Sequence, residues 1–257
     1  MQNRLRDFFA ELFFRRELSY WTRWARNAET MRLSKLRKLK KRGSQLRARI
    51  DKLNHTAEQR LRMPRIGSDA IHSRLYSDWA WRPALWKLPL VPAGKAPLHN
   101  KDSIGSEATI FHDSSRSEIA VRQVRNRQST DLAPFGIQLD VFAFEGSFLS
   151  LVVDLPVEAV GGLKQSHLIC LDTIVELERP IVITARLNVM HGPNTEQIVR
   201  ELPLYDSEVM VEFDLSYTDL NEKRVERMWV DLIFEEPEFN RIELRDLTFS
   251  RRPRTQI

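Results

Sequence analysis

The chain has 257 residues, of which 42% are hydrophobic and 29% charged, a composition of folded protein and not of a disordered one. Its length suits one good-sized domain with an appendage. A single cysteine, Cys170, excludes an intramolecular disulfide and any four-cysteine metal site. No run of 18 apolar residues exists to cross a bilayer as a helix, and Met1 to Glu11 lack the clean apolar stretch of a secretory signal. A cytoplasmic location is therefore expected, with the inner face of the membrane as the place where a peripheral segment would act.

The net charge of +5 is unevenly spread. Residues 1–62 carry 18 Lys and Arg against 6 Asp and Glu, net +12, while the remaining 195 residues carry 22 against 29, net −7. A basic arm thus precedes a mildly acidic body, and such an arm is attracted to nucleic acid, anionic lipid or an acidic protein surface, its own body included.

Residues 1–62 hold one Gly, no Pro and many good helix formers, which predicts a basic helical arm. Phe8, Phe9, Phe13, Trp21 and Trp24 are interleaved with Arg along its first part, a pattern that suits a membrane-interface helix or a helix laid against protein. Leu36, Leu39, Gly43, Leu46, Ile50, Leu53 and Ala57 follow a heptad, so residues 33–57 form either a coiled-coil homodimer or a helical hairpin within the chain. Lys38, Lys40 and Lys41 lie in the densest basic cluster, where a nucleic-acid or anionic-surface contact would be made.

Residues 63–106 read as a connector, because Pro83, Pro89, Pro92 and Pro97 break regular structure. Trp79, Trp81 and Trp86 are unusual there, and a connector so rich in tryptophan is expected to lie across the next domain or line a groove. Over residues 107–257 the hydrophobic period changes to two. Ile183, Ala185, Leu187 and Val189 alternate with Thr184, Arg186, Asn188 and Met190, and Val209, Val211, Phe213 and Leu215 alternate likewise. Phe148 to Leu155 and Trp229 to Phe234 are apolar on both phases and should be central strands. Short turn-like breaks such as Glu145-Gly146-Ser147 and His191-Gly192-Pro193-Asn194 favour antiparallel pairing. The fold class is mainly β, an antiparallel sandwich preceded by the basic helical arm. A bulge near Arg245-Asp246 would bring the two phases of the last strand together, and Asp219 with Glu222 has capping-box spacing for a short helix.

No histidine pair has metal-ligand spacing on a helix, and no glycine-rich phosphate loop is present, so neither a cofactor nor catalysis is expected. His112-Asp113 and His191 read as hydrogen-bonded strand ends. The strand carboxylates do not reveal a catalytic pair by sequence.

The stretches Asp78-Trp79-Ala80-Trp81-Arg82-Pro83, Gly146-Ser147-Phe148-Leu149-Ser150-Leu151, Ala185-Arg186-Leu187-Asn188, His191 to Gln197 and Leu244-Arg245-Asp246-Leu247 resemble an uncharacterised bacterial family, a domain of unknown function. Ile242 to Leu247 is also similar to the last strand of jelly-roll carbohydrate-binding modules. That resemblance implies a jelly-roll-like sandwich and sugar binding, and it makes Asp246 a candidate for a structural calcium. The reading is a non-enzymatic binding or scaffolding protein, with Trp79, Trp81, Trp86, Arg186 and Asn188 as ligand-facing residues. The alternatives are a membrane-surface adaptor acting through the arm and a nucleic-acid binder. Glycan, anionic membrane and protein are the candidate partners.

Overall fold

The computed structural model describes residues 15–62, 71, 76–128 and 131–254, which divide near Arg60 into two compact units. Phe8, Phe9 and Phe13 lie outside the described residues. In the first unit a helix over 15–26, α1, is followed by α2 (Leu33–Arg62). Gly43, inside α2, has Trp21 against it: a Cβ there would stand 3.6 Å from the indole ring. Glycine costs a helix interior about 1 kcal/mol against alanine, and here it makes room for the ring. The Lys35 ammonium lies 4.0 Å from the Trp24 ring centre, and Tyr20 meets Trp21 and Trp24 edge-on. The two helices therefore fold back on each other, and the heptad seam around Gly43 is filled from within the chain. Leu46 and Ile50, further along the same seam, are exposed.

The second unit is an antiparallel sandwich. In chain order it contains β1 (Trp79–Trp81), α3 (Ala84–Lys87), β2 (Gly94–Lys95), β3 (Asp102–Ile104), β4 (Ala108–His112), β5 (Ser117–Arg125), β6 (Phe135–Phe144), β7 (Leu149–Asp154), α4 (Val157–Val160), β8 (His167–Leu177), β9 (Ile183–His191), β10 (Asn194–Glu201), β11 (Glu208–Asp214), β12 (Val225–Phe234) and β13 (Asn240–Pro253). One sheet has the order β11-β8-β13-β6-β5-β2, with β1 also paired to β13, and the other β10-β9-β12-β7-β4-β3. The core lies between them: Ile183, Leu187, Val230 and Phe234 from the six-stranded sheet face Val211 and Phe213 from the seven-stranded one, and all are buried. One phase of each strand is apolar, so the alternation seen in sequence becomes two inner faces.

From Trp79 on, the described residues of the expected connector, 63–106, are part of this sandwich. β1, β2 and β3 are strands of its sheets, and Leu85, Trp86 and Leu98 belong to its core, so pairing begins at Trp79 and not at 107. The prolines kept these strands to two or three residues, which hid them from a period-two reading.

The bulge in β13 falls at Arg245, between the Leu244 and Asp246 pairs with β8. It marks a change of neighbour. β6 pairs with Asn240 to Leu244, whereas β1 pairs with Phe249 to Arg251, so two strands share one side of β13 end to end. Between them the Trp86 indole donates to the Leu244 carbonyl at 2.9 Å, and Arg82 Nε and Nη2 each donate to an Asp246 oxygen at 2.8 Å. The short helix expected from Asp219 is instead a 3-10 turn, Glu222–Arg224, capped by Asn221, whose Oδ1 accepts from Lys223 N.

Candidate functional site

The six-stranded sheet turns its outer phase into a cleft of about 600 Å³ that crosses β4, β7, β12 and β9. Strand register sets its layout. Asn188 on β9 stands opposite Trp229 on β12, which stands opposite Asp154 on β7. In the next row Arg186 faces Asp231, which faces Val152 and then Thr109 on β4. The third row runs Ile233, Ser150, Phe111. Trp229 and Ile233 of β12, Val152 of β7 and Phe111 of β4 thus supply the apolar part of the cleft, and among its polar groups Arg186 comes from β9, Asp231 and Arg227 from β12, and Asp154 and Ser150 from β7.

Asp231 is buried, and all its hydrogen bonds fall on one oxygen. Oδ2 accepts from Arg186 Nε at 2.8 Å and from Asn188 Nδ2 at 3.1 Å, with Arg186 Nη2 at 2.6 Å; Oδ1 receives none among the described residues. Asn188 is held in turn, because Gln197 Nε2 donates to its Oδ1 at 2.9 Å. Arg186 is therefore fixed with one edge of its guanidinium on a carboxylate that has lost most of its water, a strong charge-assisted arrangement.

Trp229 is half-buried, with the Arg227 guanidinium 5.0 Å from its ring centre. Arg227 Nη2 donates to Asp154 Oδ1 at 2.5 Å. Phe148, 41% exposed, stands at the mouth of the cleft. Asp113 positions it, its Oδ1 accepting from Ser147 N at 2.7 Å and Phe148 N at 3.2 Å, while Ser147 Oγ donates to Oδ2. The Ser147 hydroxyl bond, followed by these backbone donors, holds the Asp113 carboxyl below its usual value. Gly146 is required in this turn: a Cβ would come within 2.6 Å of Asp113 Oδ1 and of the Phe144 ring.

Arg186 and Asn188, singled out in sequence, are on this face, but Asn188 is only 1% exposed and supports Asp231 from beneath the surface. The expectation that both point freely outward is corrected for Asn188. The connector tryptophans do not join them. Trp86 is fully buried; Trp79 and Trp81 pair opposite Arg251 and Phe249 and pack on the core from the seven-stranded sheet, Trp81 stacked 6.0 Å from Phe249. Trp86 is thus a core side chain where β6 gives way to β1, and Trp79 and Trp81, partly buried, pack against the core beside it, away from Arg186 and Asn188. The calcium reading of Asp246 is corrected too, since Arg82 takes both carboxylate oxygens and Oδ1 also accepts from Leu247 N at 2.7 Å. No group of metal-ligating side chains occurs among the described residues. Sequence reasoning missed Trp229, Phe148, Phe111 and Asp231, although the signal was present: apolar residues on the outer phase of a central strand have to meet something.

A family model matches residues 1–257. The chain belongs to the DUF6478 family of unknown function. A comparison of this DUF6478 protein with curated proteins finds no match. Among solved structures it is similar to the family 11 carbohydrate-binding module from Clostridium thermocellum in complex with a β-1,3-1,4-mixed-linked tetrasaccharide, at 9% identity and TM-score 0.36, covering 62% of this chain and 96% of that one. It is similar also to the xylan-binding domain CBM22-1 from Paenibacillus barcinonensis, at 8% identity and TM-score 0.37, over 61% and 92%. A third is the enzymatically active domain of a bacteriophage CBA120 tailspike, at 9% identity and TM-score 0.40, where the match covers 58% of the DUF6478 chain and 21% of the tailspike. Two stretches that resembled the family in sequence meet inside the DUF6478 fold: Asp78 to Pro83 and Leu244 to Leu247 are joined by the Arg82 and Asp246 pair, and Asp78 bonds Arg251 just beyond.

Proposed function

We propose that the chain is a glycan-binding protein and that the cleft on the outer face of β4, β7, β12 and β9 holds the sugar. The observation that carries this reading is the juxtaposition of Trp229, Phe111 and Phe148 with the fixed Arg186 and Asp231 pair. Sugar rings offer apolar C–H faces to aromatic rings and hydroxyls to paired donors and acceptors, and a pocket of this size with few convergent polar groups is a usual small-ligand site. Arg186 donates and Asp231 Oδ1 accepts. The two arginines of the cleft, Arg186 and Arg227, are each matched by a carboxylate, Asp231 and Asp154, which favours a neutral glycan over a uronate or sulfated one.

Binding of the full chain to neutral and acidic oligosaccharides, followed by calorimetry, tests the proposal. A neutral oligosaccharide should bind, and Trp229→Ala should weaken it about tenfold or more, as loss of a central aromatic contact does. No binding to any neutral glycan, or unchanged binding in Trp229→Ala, would remove the cleft from consideration.

A further inference from the structure

The helical unit carries a second surface that is independent of the glycan cleft. Between Leu33 and Ile50, α2 has eight Lys and Arg and no Asp or Glu, and all eight are exposed. At 100° per residue, Lys35, Lys38, Lys41, Arg42 and Arg49 fall within an arc of about 120°. Immediately beside that arc come Leu46 and Ile50, 42% and 44% exposed. Leu18 and Tyr20 of α1 are exposed as well, at 57% and 41%. Lys35 lies over Trp24, while Lys38, Lys41, Arg42 and Arg49 make no ion pair among the described residues.

A basic arc bordered by uncovered aliphatic side chains is the layout of a helix lying in a membrane interface, where cations meet lipid phosphates and neighbouring apolar groups enter the acyl boundary. We infer that the α1 and α2 hairpin docks on an anionic lipid bilayer through the Lys38, Lys41, Arg42 and Arg49 arc, with Leu46 and Ile50 inserted beside it. Nucleic acid would use the same cations, but its phosphate backbone has no use for the exposed leucine and isoleucine. The aliphatic border is what selects lipid.

The experiment is co-sedimentation of the full chain with phosphatidylcholine vesicles, with and without phosphatidylserine, at rising salt. The protein should pellet with the anionic vesicles alone, and release as salt rises. Replacing Lys38, Lys41, Arg42 and Arg49 together by Gln, which keeps helix propensity, should lower partitioning by roughly a hundredfold or more. Leu46→Ser with Ile50→Ser should lower vesicle binding about tenfold while leaving any binding to duplex DNA unchanged. Circular dichroism reports whether each variant keeps its helix, and the salt titration of the unaltered chain stands even where a variant unfolds. Equal pelleting with neutral vesicles, no pelleting at all, vesicle binding undiminished in the aliphatic variant, or tighter binding to duplex DNA than to anionic vesicles would each overturn the inference.

Discussion

The two outer faces of the sandwich use the same residue types to opposite ends. On the seven-stranded sheet the charges are tied to one another: Arg82 to Asp246, Arg252 to Glu212, and Arg245 to both Asp131 and Glu176. Of these, Arg82, Asp246 and Arg245 lie at the junction where β1 takes over from β6. On the six-stranded sheet the central pair, Arg186 and Asp231, opens onto a cleft that Trp229, Phe111 and Phe148 line together with the Arg227 and Asp154 pair. An ion pair by itself thus says little about function. What its neighbours leave uncovered decides whether it is a fastening or a site.

The sharpest test of that contrast is Arg82→Met. It strands Asp246, of which only 11% of the side chain is exposed, without its counter-ion, and breaking a buried pair in this way costs about 3–5 kcal/mol. The double variant with Asp246→Leu should regain most of that loss in chemical denaturation. A single variant within about 1 kcal/mol of the unaltered chain would show that this face does not depend on the pair. On the opposite face, Asn188→Ala removes a buried donor from Asp231 and should cost about 1–3 kcal/mol. It should weaken glycan binding too, because Arg186 loses its fixed partner. Stability unchanged in Asn188→Ala would mean that the Asp231 carboxylate needs no support, and the account of the cleft as a prearranged site would fail.

Phe148→Ala lies further down the scale. The side chain is exposed, so denaturation midpoints should move by about 0.5 kcal/mol or less while glycan affinity falls. A loss of stability with affinity intact would make Phe148 a structural residue. The smallest expected effect is the acid sensitivity of His167. Burial first, and then the nearby Arg251 charge, hold its imidazole below the ordinary 6.5, and Nδ1 accepts from Lys164 N at 3.1 Å, which needs the ring nitrogen unprotonated. A depressed value in the folded chain means that the unfolded chain takes the proton first. The stability tied to the neutral ring is therefore present above 6.5 and is lost as pH falls from there through the lower folded value. The gap in urea midpoint between about pH 7.5 and about pH 5.5 should narrow in His167→Gln, and an unchanged gap would assign the acid sensitivity to other groups.

The amino-acid sequence by itself determined the alternation of residues 183–189 and 209–215, the central strands at 148–155 and 229–234, the bulge at Arg245 and the helical character of the arm over its described residues, 15–62. Each depends on local periodicity, which a linear reading can see. It also placed Arg186 on the wetter phase. Tertiary structure alone decided which polar residues stay near the surface: Asn188, in the same phase as Arg186, is covered because Gln197, Trp229 and Asp231 arrive beside it from two other strands. Tertiary structure likewise sent Trp86 into the core and packed Trp79 and Trp81 against it, since the space Trp86 fills exists only where β6 ends and β1 begins along β13, more than 150 residues away in the chain for Trp86 and Leu244. Pairing across such separations leaves no periodic trace, so the site had to be found from strand register and burial.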